Sequence, residues 1–168
     1  MKKGLLAFII MSLLPLSLLA KTELSLAMKL TPTGDFSAKT SEVTGFAYKD
    51  GKKVKAQNII ISMTTLDAGL KTRTEHMKNK YLEVGKFPKA TLISAEGENG
   101  KGKGVLEVHG VKKDVSGDYK IDGAELVAHF PVKISDFNIQ KAKYLGVGVN
   151  DEVQVEVRVP LKEKATAK

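Results

Sequence analysis

The stretch VQVEVRVPL, residues 153–161, alternates apolar and polar side chains with a period of two. Four valines and Leu161 fall on one face of an extended chain, whereas Gln154, Glu156 and Arg158 fall on the other. Successive side chains of a strand point to opposite faces of its sheet. The pattern therefore predicts a strand with one apolar face and one solvated face.

Much of the remaining chain repeats this pattern. VSGDYKI (residues 115–121) and LVAHFPVKI (residues 126–134) alternate in the same way. Five further segments have the composition of strands. They are ELSLAMKL (23–30), FSAKTSEVTGFAYK (36–49), VKAQNIIISMTTL (54–66), KATLISAEG (89–97) and GKGVLEVHG (102–110).

Turn signals separate the strands. Asp50-Gly51, Asn99-Gly100 and Asp122-Gly123 are dipeptides that favour tight β-hairpins. A long meander with one apolar face must close on itself or pack against a second sheet, because an open one leaves edges and apolar surface in water. We therefore expect an all-β fold of about eight antiparallel strands.

One segment departs from the period of two. Thr72 and Glu75 are spaced as a capping box, which predicts a short helix that ends before the turn at residues 85–88. Its apolar face would carry Met77, Tyr81 and Leu82.

The N-terminal sequence MKKGLLAFIIMSLLPLSLLA has a charged start, a short apolar run and small residues at its end. This is typical of a secretory signal peptide, with cleavage expected after Ala20 or, as a second choice, after Ala27. We expect one exported domain over residues 21–162, a polar tail over 163–168 and no transmembrane segment in the mature chain. The protein would be periplasmic or secreted, and without cysteine it has no disulfide or thiolate metal site.

The basic charge does not indicate nucleic-acid binding. The formal net charge is +8, but lysines are dispersed singly or in pairs and only two arginines occur. A nucleic-acid interface usually shows a clustered basic face that includes arginine.

Arg73 is one of two arginines and His76 one of three histidines in the chain, and Glu75 lies beside them. The three residues are candidates for catalysis, or with His109 and His129 for metal binding. Adjacent helical positions point about 100° apart, so Glu75 and His76 do not easily address one atom. His129 lies on the polar face of its strand. We therefore expect no catalytic residues and no metal site.

The apolar strand face itself is open to two interpretations. Its valine, leucine, isoleucine and alanine side chains fit an ordinary packed core, which the alternation alone favours, and they also fit a pocket for a long apolar molecule. A closed barrel of eight strands is the size at which either outcome occurs.

Several ordered motifs carry a resemblance to a known family. They are LDAG (66–69), RTEHM (73–77), YL (81–82), FPKATL (87–92) and LEVHGVKKDV (106–115). In this order, after a signal peptide and within a strand meander, they resemble the YceI family of secreted proteins over essentially the whole mature chain.

The resemblance implies an extended, lipocalin-like eight-stranded antiparallel barrel with one short flanking helix. Its lumen would hold an isoprenoid or another long-chain amphiphile, for example a polyprenyl or quinone tail, for transport, storage or envelope stress protection. No cofactor other than this lipid is expected, and a homodimer is possible. An enzyme acting on a lipid-like substrate and a filled barrel that binds other proteins are the alternatives.

The expected lumen residues are apolar side chains on the strand faces and on the helix. Arg73 and His76 are expected as head-group or structural contacts, and for Arg73 we favour a structural tie between helix and barrel. The predicted lumen residues are Phe36, Phe46, Ile60, Met77, Tyr81, Leu82, Leu92, Leu106, Val108, Tyr119, Phe130, Val132, Phe137 and Val155.

Overall fold

The computed structural model describes residues 20–32, 34–144 and 146–164. The predicted signal peptide, apart from Ala20, and the last four residues of the predicted tail lie outside these ranges. The strands are β1 (Glu23–Thr31), β2 (Asp35–Thr40), β3 (Val43–Thr44), β4 (Ala47–Asp50), β5 (Lys53–Ser62), β6 (Lys89–Glu98), β7 (Lys101–Val108), β8 (Val111–Asp122), β9 (Glu125–Lys133), β10 (Lys143–Tyr144) and β11 (Val147–Glu163). A helix α1 (Lys71–His76) continues into a π-helical turn (Met77–Tyr81), and a 3-10 turn spans Ile134–Phe137.

The strands form one sheet that closes into a barrel. Its order is β2-β1-β11-β4-β5-β6-β7-β8-β9, and β9 returns to pair with β11. The closed ring passes through seven strands, and β1 and β2 extend the sheet beyond it. The expected all-β barrel is thus confirmed. Its closed ring has seven strands instead of the expected eight, because one edge of β11 pairs first with β1, which lies outside the ring, and then with β4. The β11–β4 pairing, Leu161 with Ala47, is parallel, whereas the other pairings are antiparallel.

Hairpins occur at all three predicted positions. β4–β5, β6–β7 and β8–β9 are each joined by two residues. At Asn99 and Gly100 both φ angles are positive (52° and 79°), as a type I′ turn requires. The sequence interpretation did not include the hairpin in which His109 and Gly110 (φ 53° and 75°) join β7 to β8.

A turn before β3 changes which side chains face the barrel interior. Up to Thr40 the buried positions of β2 are even-numbered, whereas Val43 and Ala47 are the buried positions after it. The N–H of Val43 donates to the carbonyl oxygen of Ser41, and this turn shifts the alternation by one residue. Phe46 therefore faces outward, and the prediction that it lines the lumen is wrong.

A second shift occurs inside β5. Ala56 faces the interior, and after Asn58, whose φ is 52°, the buried positions are Ile59 and Ile61. A positive φ is tolerated by asparagine better than by most residues, and it turns the following side chains to the other face. Ile60 therefore points away from the lumen, and its predicted place in the lumen is also wrong.

β6 makes the matching shift, so the pairing register with β5 is kept. Leu92 lies opposite Ile59 and Ala95 lies opposite Ala56. All four side chains line the interior. On β5 the interior positions change from even at Ala56 to odd at Ile59, and on β6 they change from even at Leu92 to odd at Ala95.

The helix is present, but its predicted cap is wrong. Leu70 occupies the N-cap position without a side-chain hydrogen bond, and α1 has no acidic residue in its first turn. Thr74, rather than Thr72, stabilises the entry: its hydroxyl accepts the N–H of Ala68 (2.9 Å) and lies 3.1 Å from the Asp67 carboxylate. No helix in the described part of the chain is long and apolar enough to cross a membrane.

The interior face of β6, β7 and β8 carries glycines where neighbouring side chains come close. A Cβ on Gly117 would overlap the carbonyl oxygen of His129 and lie 2.6 Å from the Phe130 Cβ. Since backbone atoms of β9 cannot move aside cheaply, this position requires the absence of a side chain.

Gly117→Ala should lower the free energy of unfolding by about 1–3 kcal/mol, because overpacking forces β8 and β9 apart. Urea denaturation measures the change. Gly85→Ala is the matched control, since nothing lies within 4 Å of its added methyl group and its φ is not positive. Equal stability of the two variants would contradict the close approach of β8 and β9.

Candidate ligand-binding site

The barrel surrounds a cavity of about 1110 Å³ that is open to solvent. This volume slightly exceeds the usual range for small-molecule sites, about 300–1,000 Å³. The wall is mainly aliphatic and receives side chains from both the ring strands and β1. The apolar strand faces thus surround an open lumen instead of filling it.

Twelve of the fourteen predicted lumen residues lie on the cavity wall. Their contact with a ligand is still a prediction, and Phe46 and Ile60 lie elsewhere. The twelve are Phe36, Met77, Tyr81, Leu82, Leu92, Leu106, Val108, Tyr119, Phe130, Val132, Phe137 and Val155.

The sequence interpretation missed much of the wall that β1 and β11 form. Every second residue of β1 from Leu24 to Leu30 lines the cavity, as do Val153, Val157 and Val159 of β11. Both alternations are visible in the sequence. They predict the two strands, but by themselves they do not show that these faces line a cavity.

The π-helical turn after α1 brings three predicted residues to the lumen. The N–H of Leu82 donates to the carbonyl oxygen of Met77 (2.9 Å), five residues earlier. This wider turn places Met77 and Leu82 on the same side, so both line the cavity together with Tyr81.

Arg73 connects α1 to β2. Its guanidinium carbon lies 4.5 Å from the centre of the Phe36 ring, and its Nη1 donates to the carbonyl oxygen of Ala68 (3.3 Å). Cation–π contact of this kind stabilises by about 0.5–2 kcal/mol. These contacts fit the structural role that we favoured, and Arg73 also borders the cavity, as does the solvent-exposed His76. A head-group contact by either residue stays a prediction.

A cluster of side chains around His109, which the sequence did not indicate, joins three loops of the barrel. We call it the His109 cluster. The ring of His109 is only 10 % exposed, and its Nε2 lies 3.1 Å from the Glu83 carboxylate. Its Nδ1 lies 3.2 Å from the carbonyl oxygen of Phe137, and its ring packs against the Phe87 ring at a tilt of 51°, with centroids 4.3 Å apart. Because both polar partners are acceptors, both bonds form only when each ring nitrogen carries a hydrogen.

Glu83 is further held by Lys86, whose ammonium donates to it at 2.6 Å. That hydrogen bond is the main cause that lowers the pKa of the Glu83 carboxyl, and His109 adds a smaller effect. The carboxylate is therefore ionised at neutral pH and ties the segment after the π-helical turn to the β7–β8 hairpin.

The three histidines do not meet. His109 is in this cluster, His76 is at the cavity edge, and His129 lies on the outer face with Nδ1 3.6 Å from Glu156. In residues 20–32, 34–144 and 146–164, no group of three or more histidine, aspartate or glutamate side chains is arranged to hold a metal ion.

Charges around the cavity are unevenly distributed. The described wall includes Lys71 and Arg73 of α1, Lys80 of the π-helical turn and Lys143 of β10, and no acidic residue of these three elements lines it. The two acidic residues of the described wall lie on β6 and β8, close to other lysines. One side of the cavity edge is therefore cationic.

Comparison with known proteins agrees with this architecture. Residues 19–161 match the family model described as the YceI-like domain. The UPF0312 protein YE1254 of Yersinia enterocolitica is 34 % identical over 97 residues, which are 49 % of this chain and 50 % of that protein. The alignment thus spans about half the length of that curated relative.

Three solved structures share the fold at low sequence identity. BcnA of Burkholderia cenocepacia has a TM-score of 0.64 at 19 % identity, covering 82 % of this chain and 94 % of BcnA. A polyisoprenoid binding domain from Saccharophagus degradans, implicated in plant cell wall breakdown, has a TM-score of 0.58 at 11 % identity, with coverages of 83 % and 92 %. The YCEI protein of Campylobacter jejuni has a TM-score of 0.55 at 18 % identity, with coverages of 78 % and 84 %. With a family match over nearly its whole length and a barrel of the same architecture, this chain belongs to the YceI-like domain family.

Proposed function

We propose that this protein is an exported, non-enzymatic binding protein that holds an isoprenoid or another long-chain amphiphile in its lumen, for transport, storage or protection of the envelope. The observation that carries the proposal is the apolar cavity of about 1110 Å³ inside the barrel. A polyisoprenoid binding domain with the same fold supports the choice of ligand class.

The shape of the cavity favours a long chain over a compact molecule. Valines that line it occur along β11 from Val147 to Val159, a contour of about 40 Å at the usual rise of a strand. Burial of apolar surface contributes about 25 cal/mol per Å², from which the cost of ordering a flexible chain must be subtracted. A ligand with many repeated methyl and methylene groups gains most from such a wall.

The chemistry of the wall supports binding over catalysis. Thr40 is the one polar residue in the buried set of the described chain, and its hydroxyl is satisfied by Thr65 at 2.7 Å. A catalytic acid or base commonly has its pKa shifted by burial, and the charged residues of this cavity lie instead at partly or fully exposed positions. The size of the lumen likewise disfavours the filled-barrel alternative.

Lipid should accompany the protein when it is purified without detergent. Native mass spectrometry followed by organic extraction measures the bound lipid, and geranylgeraniol added to stripped protein measures uptake. Leu106→Arg should lower uptake at least tenfold, because a guanidinium in the lumen must lose its bound water when the lipid chain enters. Ala128→Phe should lower it through lost volume alone.

Val105→Arg is the matched control, because Val105 precedes Leu106 on β7 but is absent from the cavity wall. It should keep the uptake of the wild type. The proposal fails if wild-type protein neither carries lipid nor takes up geranylgeraniol. It also fails if Leu106→Arg and Ala128→Phe fold normally, by circular dichroism, and still bind as the wild type does.

We propose cleavage of the signal peptide after Ala20 and not after Ala27. Ala27 lies within β1, where it pairs with Ser37 and Gln154, so the later cut would remove half of the strand. The backbone N–H of Lys21 donates to the Glu125 carboxylate. Cleavage after Ala20 would turn this N–H into an ammonium group that forms an ion pair at the same place.

Intact mass measurement of the protein recovered from the periplasm should therefore give a chain that begins at Lys21. Glu125→Gln should leave the cleavage site unchanged and lower thermal stability slightly. A chain that begins at Met28, or an uncleaved chain in the cytoplasm, would overturn the assignment.

A further inference from the structure

Two of the four large apolar side chains that are exposed in the described chain lie on the cavity wall. They are Leu70, which is 58 % exposed, and Val147, which is 40 % exposed. A side chain that contacts both the cavity and bulk water lies where the cavity opens. The other two, Phe46 and Ile121, do not line the cavity, and the Lys162 ammonium covers the Phe46 ring at 4.1 Å.

Lysines accompany these two side chains. Lys71 follows Leu70 at the start of α1, Lys80 lies in the π-helical turn, and Lys143 pairs with Gly148 beside Val147. All three lysines are exposed and line the cavity. We call Leu70, Lys71, Lys80, Lys143 and Val147 the helix-side rim.

The topology places the two parts of this rim at the same end of β1. The Arg73 guanidinium of α1 lies over the ring of Phe36, and Phe36 pairs with Met28 of β1. Two residues further along β1, Leu30 pairs with Val149, near the start of β11. α1 and the β10–β11 hairpin therefore both adjoin the C-terminal end of β1.

The rim carries little compensating negative charge. Glu75 lies 4.0 Å from the Lys71 ammonium, whose side chain is 89 % exposed, and such exposed pairs contribute little. The acidic residues of the described cavity wall are Glu96 and Asp118, on strands that the rim does not include. Exposed aliphatic groups among lysines are complementary to a bilayer that contains anionic lipids.

We propose that the helix-side rim docks on the surface of an anionic lipid bilayer. Leu70 and Val147 enter the head-group region, and the three lysines contact lipid phosphates. The cavity then opens toward the acyl chains, and an amphiphile passes between bilayer and barrel without crossing water. This goes beyond the proposed function, since a lipid-binding barrel can also take its ligand from another carrier.

Flotation with vesicles tests the proposal. The processed protein, purified from cells without detergent, is mixed with vesicles of phosphatidylcholine and phosphatidylglycerol at 3:1, or with vesicles of phosphatidylcholine alone. The salt concentration is about 50 mM, at which surface charge is weakly screened. We expect flotation with the anionic vesicles, weakening as salt rises. Each lysine near an anionic surface contributes about fivefold in partition, so Lys71→Gln, Lys80→Gln and Lys143→Gln together should lower binding roughly a hundredfold.

Matched variants separate the rim from general charge and apolarity. Lys52→Gln, Lys113→Gln and Lys120→Gln together change the net charge equally and should bind as the wild type does. Leu70→Gln with Val147→Gln should lower binding at least tenfold, because two aliphatic insertions are lost, whereas Ile121→Gln should not.

Two outcomes would overturn the proposal: no flotation of the wild type with anionic vesicles, or equal losses in the rim and control lysine variants. Uptake of geranylgeraniol from solution is measured on the same samples. If uptake persists while flotation is absent, the lumen binds lipid and only the docking surface is wrong. If uptake is absent while flotation depends on the rim, the docking surface stands and the lipid-binding function is wrong.

Discussion

The backbone pairing of β11 is the interaction on which the rest of the structure depends. This strand pairs with β9 on one edge and with β1 and β4 in succession on the other. Without it, the apolar faces of the remaining strands would belong to an open sheet with unpaired edges in water. Closure pairs the edges of the seven ring strands and turns one face of each toward a common interior, whereas β2 remains an edge strand of the extension.

Closure alone does not explain why the interior is open. The chain has no tryptophan, and aromatic residues make up only 6 % of it. Most positions on the wall carry valine, leucine, alanine or glycine, whose side chains are too short to meet across the barrel. These short apolar side chains fit the alternating pattern of the strands, and they leave a continuous space at the centre of the barrel. The cost of that space to stability is offset when an apolar guest fills it.

The sequence predicted the structure well wherever alternation is uninterrupted, as along β11, and wherever a turn dipeptide has one strong geometry, as at Asn99-Gly100. It failed for Phe46 and Ile60 because alternation does not reveal where the phase shifts. Those shifts depend on the turn after Thr40 and on a left-handed Asn58, which are set by tertiary pairing. Most of the cavity wall was predicted because it consists of the apolar positions of alternating strands. The His109 cluster was not predicted, because it depends on contacts between distant loops, which leave no periodic signal in the sequence.

The place of β11 in the strand order also determines when the barrel can form. The strand that closes the ring is synthesised after the other ring strands, and its partner β1 is the first described strand. Contacts of such large sequence separation slow folding, since closing so long a loop costs chain entropy before the contacts can stabilise it. Until its last strand is available, the polypeptide lacks a closed barrel and exposes the surface that later forms the lumen. Chaperones that recognise extended apolar segments therefore have a longer time in which to bind it.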